Sequence, residues 1–484
     1  MKQAEEFSLT RNAGVVGISK FVNILGLLGV SVVLTRVLSR ADYGSYEQVW
    51  LVYNSFLPLV GYGLSSSIYY FSTREDRKKV YSSAALWVTT IGILTGIFLI
   101  VFAPVIASLF NSSVLTEYLR IFAVYAVVSS PAFMFESVFV NEKRVGLLLA
   151  GNILISVLLA GMVFISAIVF HNLSIVFWSV VMVGLVKSIF LFIFLSKENK
   201  LTSQKLLPVV RLQLLYAGPI FVSSIIGTIS NQIDRYLVTL FFSPDQFAVY
   251  AIGAKEIPMI AVITGSASAV LFPTFSELGS REMRGQFVTT WRNSISKTGL
   301  FLLPMMVFLF FSTKDFMFFF FGEKYVASAA VFRIFLLLLP LRLAFYSPAL
   351  LMLGKQKLYM YSSLVEVLLS AGASYFLMRT YGLEGVAVGK VVVTYVEVAF
   401  LITVLIVILK TNLKNFFPWI KLLKIFTVSV ISLAPAIFLR QFFENTYIRF
   451  VVEAGAFVIV FGALSVLIKL VRIINMKGLR FIVN

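Results

Sequence analysis

Of 484 residues, 59% are apolar and 13% charged, against roughly 45–50% and about 25% in a typical soluble domain, which excludes a soluble globular protein. The absence of cysteine excludes a disulfide framework, a thiolate metal site and a cysteine nucleophile. With 41 Lys+Arg against 22 Asp+Glu, the net charge of +19 leaves nucleic acid or an anionic membrane surface as its cause, and the position of the charges decides between them.

Apolar runs of about 20 residues, roughly the length that spans a bilayer core, recur from Asn12 to Leu470. Hydropathy with its polar and glycine breaks predicts an all-α polytopic membrane protein of about 14 transmembrane helices. In chain order these are Asn12–Leu38, Ser45–Phe71, Val80–Leu109, Glu117–Val140, Val145–Phe170, Ser174–Ser196 and Leu212–Phe242. The second half contributes Gln246–Phe272, Ser294–Ser312, Val326–Leu353, Leu358–Met378, Glu384–Leu409, Ile420–Leu439 and Arg449–Leu470. No small-residue cleavage site follows the first run and Lys20 lies within it, so it is read as a retained helix.

Lys and Arg gather in short cytoplasmic loops, so distributing the cations over alternate sides tests the helix count. With the N-terminus inside, 26 fall in inner segments and eight in outer ones, and the other seven lie within spans. Both termini are therefore expected in the cytoplasm. The basic excess reads as a topology signal, which removes nucleic acid as a partner.

The chain also repeats itself. LTRVLSRADYGSY from Leu34 aligns without gaps with VTLFFSPDQFAVY from Val238, at an offset of 204, with Thr35/Thr239, Ser39/Ser243 and Tyr46/Tyr250 identical. LRIF from Leu119 matches FRIF from Phe332, and LISVLL from Leu154 matches LVEVLL from Leu364. Six helices separate the copies, so both enter the membrane in the same sense and are related by a pseudo-two-fold axis along its normal. The expected organisation is a six-helix lobe over 1–200, a second over 201–412 and a terminal helix pair over 413–484.

LTRVLSRADYGSY, NQIDRYLVTLFFSPDQFAVYAIGAKE from Asn231, FGEKYVASAAVFRIF from Phe321 and YGLEGVAVGK from Tyr381 resemble the polysaccharide transporter branch, the Wzx-type flippases, of the multidrug/oligosaccharidyl-lipid/polysaccharide (MOP) superfamily. The resemblance covers nearly the whole chain. It implies two lobes around a cavity that opens alternately to either side. Asp42 represents the family's acid beside its tyrosine-glycine turn, whereas Phe247 and Ala248 replace Tyr43 and Gly44 in the second copy.

A charge at the bilayer centre costs about 2.5–3.5 kcal/mol on insertion scales, so such residues face a cavity or a partner. The richest cluster is Asn231, Gln232, Asp234 and Arg235 with Tyr250, Lys255 and Glu256. Asp234 and Lys255 lie equally far from the loop between their spans, so they are expected to pair across the hairpin. Their repeat mates, Val30 and Leu51, are apolar, which argues against a need common to both lobes. Lys20 and Arg342 complete the substrate-binding candidates, since Arg and Lys hold phosphate oxygens by charge-assisted hydrogen bonds. Glu366, Lys390 and Glu397 are candidates for ion coupling. Arg120 and Arg333, repeat mates near the outer surface, are expected to snorkel to the interface.

These features predict a flippase that moves a polyprenyl-diphosphate-linked oligosaccharide from the cytoplasmic to the outer leaflet of the plasma membrane for surface polysaccharide assembly. Its partners would be membrane lipid, H+ or Na+ and glycan assembly enzymes, with no cofactor and no metal. An ion-coupled drug or metabolite antiporter is the alternative, although the cations within the spans suit an anionic substrate better. A glycan polymerase or ligase is a weaker one, because the outer connections are too short to carry a catalytic loop.

Overall fold

The computed structural model describes residues 2–281, 283–468, 470–474 and 480–483, without the side chains of 2–16, 20, 60, 62, 222–223, 269–270, 280 and those from 471 onward. Its contacts divide the chain into two compact units, Met1–Ala251 and Ile252–Asn484. The fold is all-helical apart from a four-residue strand pair, Val471–Ile474 with Arg480–Val483.

The first unit runs through α1 (Lys2–Val37), α2 (Arg40–Asn54), α3 (Leu57–Val60), α4 (Tyr62–Phe71), α5 (Arg77–Leu109), α6 (Leu115–Ser129) and α7 (Phe135–Asn141). It continues through α8 (Val145–Phe170), α9 (Leu173–Lys197), α10 (Leu206–Phe241) and most of α11 (Pro244–Gly253). The second unit contains α12 (Pro258–Ser280), α13 (Arg284–Phe311), α14 (Thr313–Phe321), α15 (Ala329–Leu336), α16 (Tyr346–Met352) and α17 (Gln356–Ile408). It ends with α18 (Leu413–Phe416), α19 (Trp419–Ile431), α20 (Leu433–Arg440) and α21 (Thr446–Leu467).

Eleven helices among the described residues are long and apolar enough to cross a membrane, or twelve if the pair Glu323–Leu336 and Leu339–Met352, bent by 50°, counts as one broken span. Two differences from the expected fourteen explain the tally. The segment 45–71 is divided among α2, α3 and α4, and 358–409 runs as α17 alone. Gly382 folds α17 at φ 60°, ψ −135°, a conformation closed to residues with a Cβ. Ser374 Oγ donates to Val386 O at 3.1 Å across that fold, so α17 is a hairpin of two arms.

The packing is that of a protein in lipid. α5 buries Gly92, Thr95, Gly96, Leu99, Ala103 and Ala107, whereas Leu94, Ile97, Val101 and Val105 are each more than half exposed. Small residues let helix backbones approach, and lipid solvates the large apolar ones outside. The chain is a multi-pass membrane protein.

A polar knot lies where α5 begins and α7 ends. Glu142, just past α7, accepts from Tyr81 Oη at 2.6 Å and Lys200 Nζ at 2.9 Å, and Arg77 Nη1 lies 3.4 Å away. Burial pushes its carboxyl up, but Tyr81, Lys200 and Arg77 together hold it below the usual carboxylate range. A depressed carboxyl contributes stability above its unfolded pKa of about 4.3 and loses it as pH falls through the lower folded value. Glu142→Gln should therefore lower stability near neutral pH by about 1–3 kcal/mol, and the gap to the parent should close on acidification. A thermal melt at two pH values checks this, and an equal gap at both would contradict it.

Candidate functional site

In the first unit the two copies of the repeated hairpin turn meet. Ser39 caps α2: its Oγ accepts from Asp42 N at 3.1 Å and donates to the Asp42 carboxylate at 2.6 Å. Ser243 does the same for α11, accepting from Gln246 N at 3.3 Å while Ser243 N donates to Gln246 Oε1 at 3.2 Å. These S-x-x-D and S-x-x-Q caps satisfy the orphan amides of a helix start, so the second turn keeps its capping geometry despite Phe247 and Ala248. A Cβ at Gly44 would fall 1.9 Å from Pro244 O, so only glycine admits this approach of α2 to the second turn. Arg40 Nε and Asp245 Oδ1 are 3.0 Å apart, and Asn111 Nδ2 donates to Leu240 O at 3.2 Å. Together these contacts seal one end of the unit.

Further along α2 and α10 the polar candidates take partners. Tyr43 Oη donates to Glu47 Oε1 at 2.7 Å, and Arg235 Nη1 lies 3.9 Å from Glu47 Oε2. Tyr250 Oη donates to Asp234 Oδ2 at 2.7 Å, while the buried Asp234 Oδ1 has no hydrogen-bond partner among the described residues. Tyr236 Oη bonds Ser55 Oγ and reaches Leu51 O at 3.4 Å. Asn231 Nδ2 donates one turn back to Gly227 O at 2.8 Å, and Gln232 is half-buried.

The continuous eighth helix that would pair Asp234 with Lys255 is absent, and Asp234 takes its hydrogen bond from Tyr250 instead. The chain leaves the helix at Ala254 and re-enters at Pro258, whose missing N–H and fixed φ suit a first helical position. Lys255 and Glu256 thus stand in a helix break.

A second break in the same unit follows Leu336, where a short 3₁₀ turn (Leu339–Leu343) and the extended Ala344 interrupt the expected tenth span. There Arg342 Nη2 lies 3.9 Å from Glu256 Oε1, and both side chains are about half exposed, at 54% and 49%. Irregular backbone at membrane depth survives only against protein or lining a water-filled cavity. The α17 hairpin brings the ion-coupling candidates together: Lys390 Nζ donates to Glu366 Oε1 at 2.6 Å, both side chains being under 10% exposed. Ser362 Oγ donates to Glu397 Oε1 at 3.3 Å. The side chain of Lys20 lies outside the described residues.

A family model described as polysaccharide biosynthesis protein matches residues 33–330. The chain belongs to this family. A provisionally named O-antigen transporter of Shigella flexneri is 25% identical over 181 residues, a match spanning 36% of this chain and 41% of that protein. Among solved structures, a lipid II flippase MurJ in an inward closed conformation superposes with a TM-score of 0.74 at 16% identity, covering 93% of this chain and 98% of that one. An inward-facing multidrug resistance MATE transporter of the MOP superfamily gives 0.64 at 14% identity, covering 81% and 96%. The likeness to these structures is one of fold, the MurJ/MATE-like fold that the sequence motifs imply.

In this polysaccharide biosynthesis protein the residue that sequence reasoning missed is Glu47. It lies within an expected span and is 8% exposed, yet it holds both Tyr43 and Arg235. Its signal was available, since a carboxylate in an apolar run one helical turn after a tyrosine needs a partner. Asp315 was missed likewise. Arg440 and Arg449 both donate to its carboxylate, at 2.8 and 2.5 Å, and so fasten the terminal helices α20 and α21 to α14.

Proposed function

We propose that the chain is a flippase that carries a polyprenyl-diphosphate-linked oligosaccharide from the cytoplasmic to the outer leaflet of the plasma membrane by alternating access, with both termini cytoplasmic. The observation that carries this reading is the pair of helix breaks that leaves Lys255, Glu256 and Arg342 at the interruptions of otherwise apolar spans. Charges at such depth need water or a partner, and Lys and Arg there suit diphosphate oxygens, with Glu256 holding Arg342 while no substrate is bound. Lys20, Asn231, Gln232, Asp234, Arg235 and Tyr250 of the first unit are the further candidates for holding the lipid and the sugar. Glu366, Lys390 and Glu397 form the candidate coupling element for H+ or Na+. The lobes 1–200 and 201–412 with the pair 413–484 are the parts that would rearrange, and glycan assembly enzymes would supply and consume the substrate. The chemistry is transfer between leaflets, with no bond made or broken and no cofactor.

The test is purified protein in proteoliposomes with a fluorescent lipid-linked oligosaccharide, its outer-leaflet exposure compared with empty liposomes. Lys255→Gln and Arg342→Gln should each slow exposure by about tenfold, the equivalent of roughly 1.4 kcal/mol, at normal yield of folded protein. Ion-driven export of a soluble cation, with no acceleration of any lipid-linked sugar, would identify an antiporter instead. Cleavage or polymerisation of the glycan would identify an enzyme.

A further inference from the structure

We infer that the first unit carries a site for a phosphoethanolamine lipid headgroup, built on Arg120 and Glu117 at the start of α6. A cavity of about 550 Å³ opens there, lined among others by Ser113, Thr116, Glu117, Arg120, Val124 and Trp178. Arg120 has no hydrogen-bond or ion-pair partner among the described residues. Glu117 accepts from Ser174 Oγ at 2.5 Å through Oε1, and its second oxygen is without a partner among the described residues.

The internal repeat supplies a control. Arg333, the mate of Arg120, donates from Nε to Phe310 O and Thr313 Oγ1, both at 3.2 Å, and so closes the end of α13. The end of α5 needs no such arginine. Asn111, at φ 53°, turns the chain so that Phe110 N reaches Ile106 O at 2.9 Å and Ser112 N reaches Ala107 O at 3.0 Å. Arg333 therefore does not simply snorkel, and Arg120 instead lines an open cavity.

The charges of the cavity select its occupant. Glu117 and Arg120 are three residues apart on one helix, neighbours with Cβ atoms about 5–6 Å apart. A phosphate accepts from the Arg120 guanidinium, and a primary ammonium on the same headgroup donates to the free Glu117 oxygen. A phosphoglycerol headgroup offers Glu117 no cation, and a choline offers it no N–H. Trp178 is 46% exposed beside the cavity, and Met182, Val186 and Ile189 continue an exposed apolar path along α9 for the acyl chains. Tryptophan at such a boundary is the usual interfacial residue.

Native mass spectrometry of the purified full chain, offered equal amounts of phosphatidylethanolamine, phosphatidylglycerol and phosphatidylcholine with identical acyl chains, tests the site. Phosphatidylethanolamine should be retained at least about fivefold over the other two, roughly 1 kcal/mol. Arg120→Gln should remove that retention, and Glu117→Gln should remove the preference over phosphatidylglycerol. Both side chains are exposed, so both variants should melt like the parent. Soluble glycerophosphoethanolamine should compete where inorganic phosphate does not, which assigns recognition to the zwitterionic headgroup and not to phosphate alone. Equal retention of phosphatidylglycerol by the parent, competition by inorganic phosphate, or unchanged lipid retention in both variants would overturn the proposal.

Discussion

Gly44→Val is expected to stop transport while the protein still inserts and folds. The added Cβ would stand 1.9 Å from Pro244 O and 2.6 Å from its carbonyl carbon, both backbone atoms that cannot swing aside as a flexible side chain can. To restore ordinary contact, α2 and the turn before α11 must part by more than 1 Å, which opens the seal between the two hairpin turns. The Arg40–Asp245 pair cannot pull them back, because its side chains are 39% and 41% exposed and such surface pairs contribute about 0–1 kcal/mol. Asp245→Asn should accordingly change little. Transport by Gly44→Val should fall at least about tenfold, as a population shift of some 1.4 kcal/mol against the closed state would produce, and Gly44→Ala should be intermediate. In this cysteine-free chain, the double substitution Arg40→Cys with Asp245→Cys reports closure through cross-linking, which Gly44→Val should suppress. Full transport, or undiminished cross-linking, would show that the close approach at Gly44 is not what seals this end.

Lys390→Gln is expected to be the most destabilising of the charge substitutions. Its ammonium sits 2.6 Å from Glu366, and both side chains are buried between the arms of α17. Removing one member strands the other as a buried, uncompensated charge, which typically costs about 3–5 kcal/mol, whereas replacing both with apolar residues of similar volume is often neutral or stabilising. Lys390→Gln should therefore melt well below the parent, and the double variant Lys390→Met with Glu366→Met should recover. The recovered protein also separates two roles. If the pair only clamps the hairpin, the double variant flips substrate at the parental rate. If it couples transport to an ion, the double variant is stable and its transport no longer follows the ion gradient. Additive destabilisation in the double variant would show that the two groups do not interact, against the geometry.

Several of these features were legible in the chain itself. The apolar runs mark where helices cross, because roughly 20 residues at 1.5 Å each match the bilayer core. Capping is local too: Ser39 with Asp42 and Ser243 with Gln246 are three residues apart, so the matching turns of the repeat could be read from spacing. The hairpin at Tyr381–Gly382 belongs with these. A single glycine after an aromatic marked the fold of α17, whereas the Lys390–Glu366 pair, lying at unequal distances from Gly382, came only with the packing of the two arms.

The break at 254–257 could not be read in the same way. Hydropathy stays high through Ile252 and resumes at Ile257, and Pro258 alone does not say whether a membrane helix bends or stops. The difference between Arg120 and Arg333 was also hidden, since identical repeat positions acquire different fates only once the ends of α5 and α13 are built. Likewise the Glu47–Arg235 pair joins residues 188 positions apart, and the Gly44–Pro244 contact joins residues 200 apart. Membrane crossing, helix caps and the repeat follow from interactions within a few residues, where periodicity and backbone chemistry suffice. Which buried charge meets which, and which glycine must stay bare, follow from close packing between helices distant in the chain, and that is decided only by the tertiary structure.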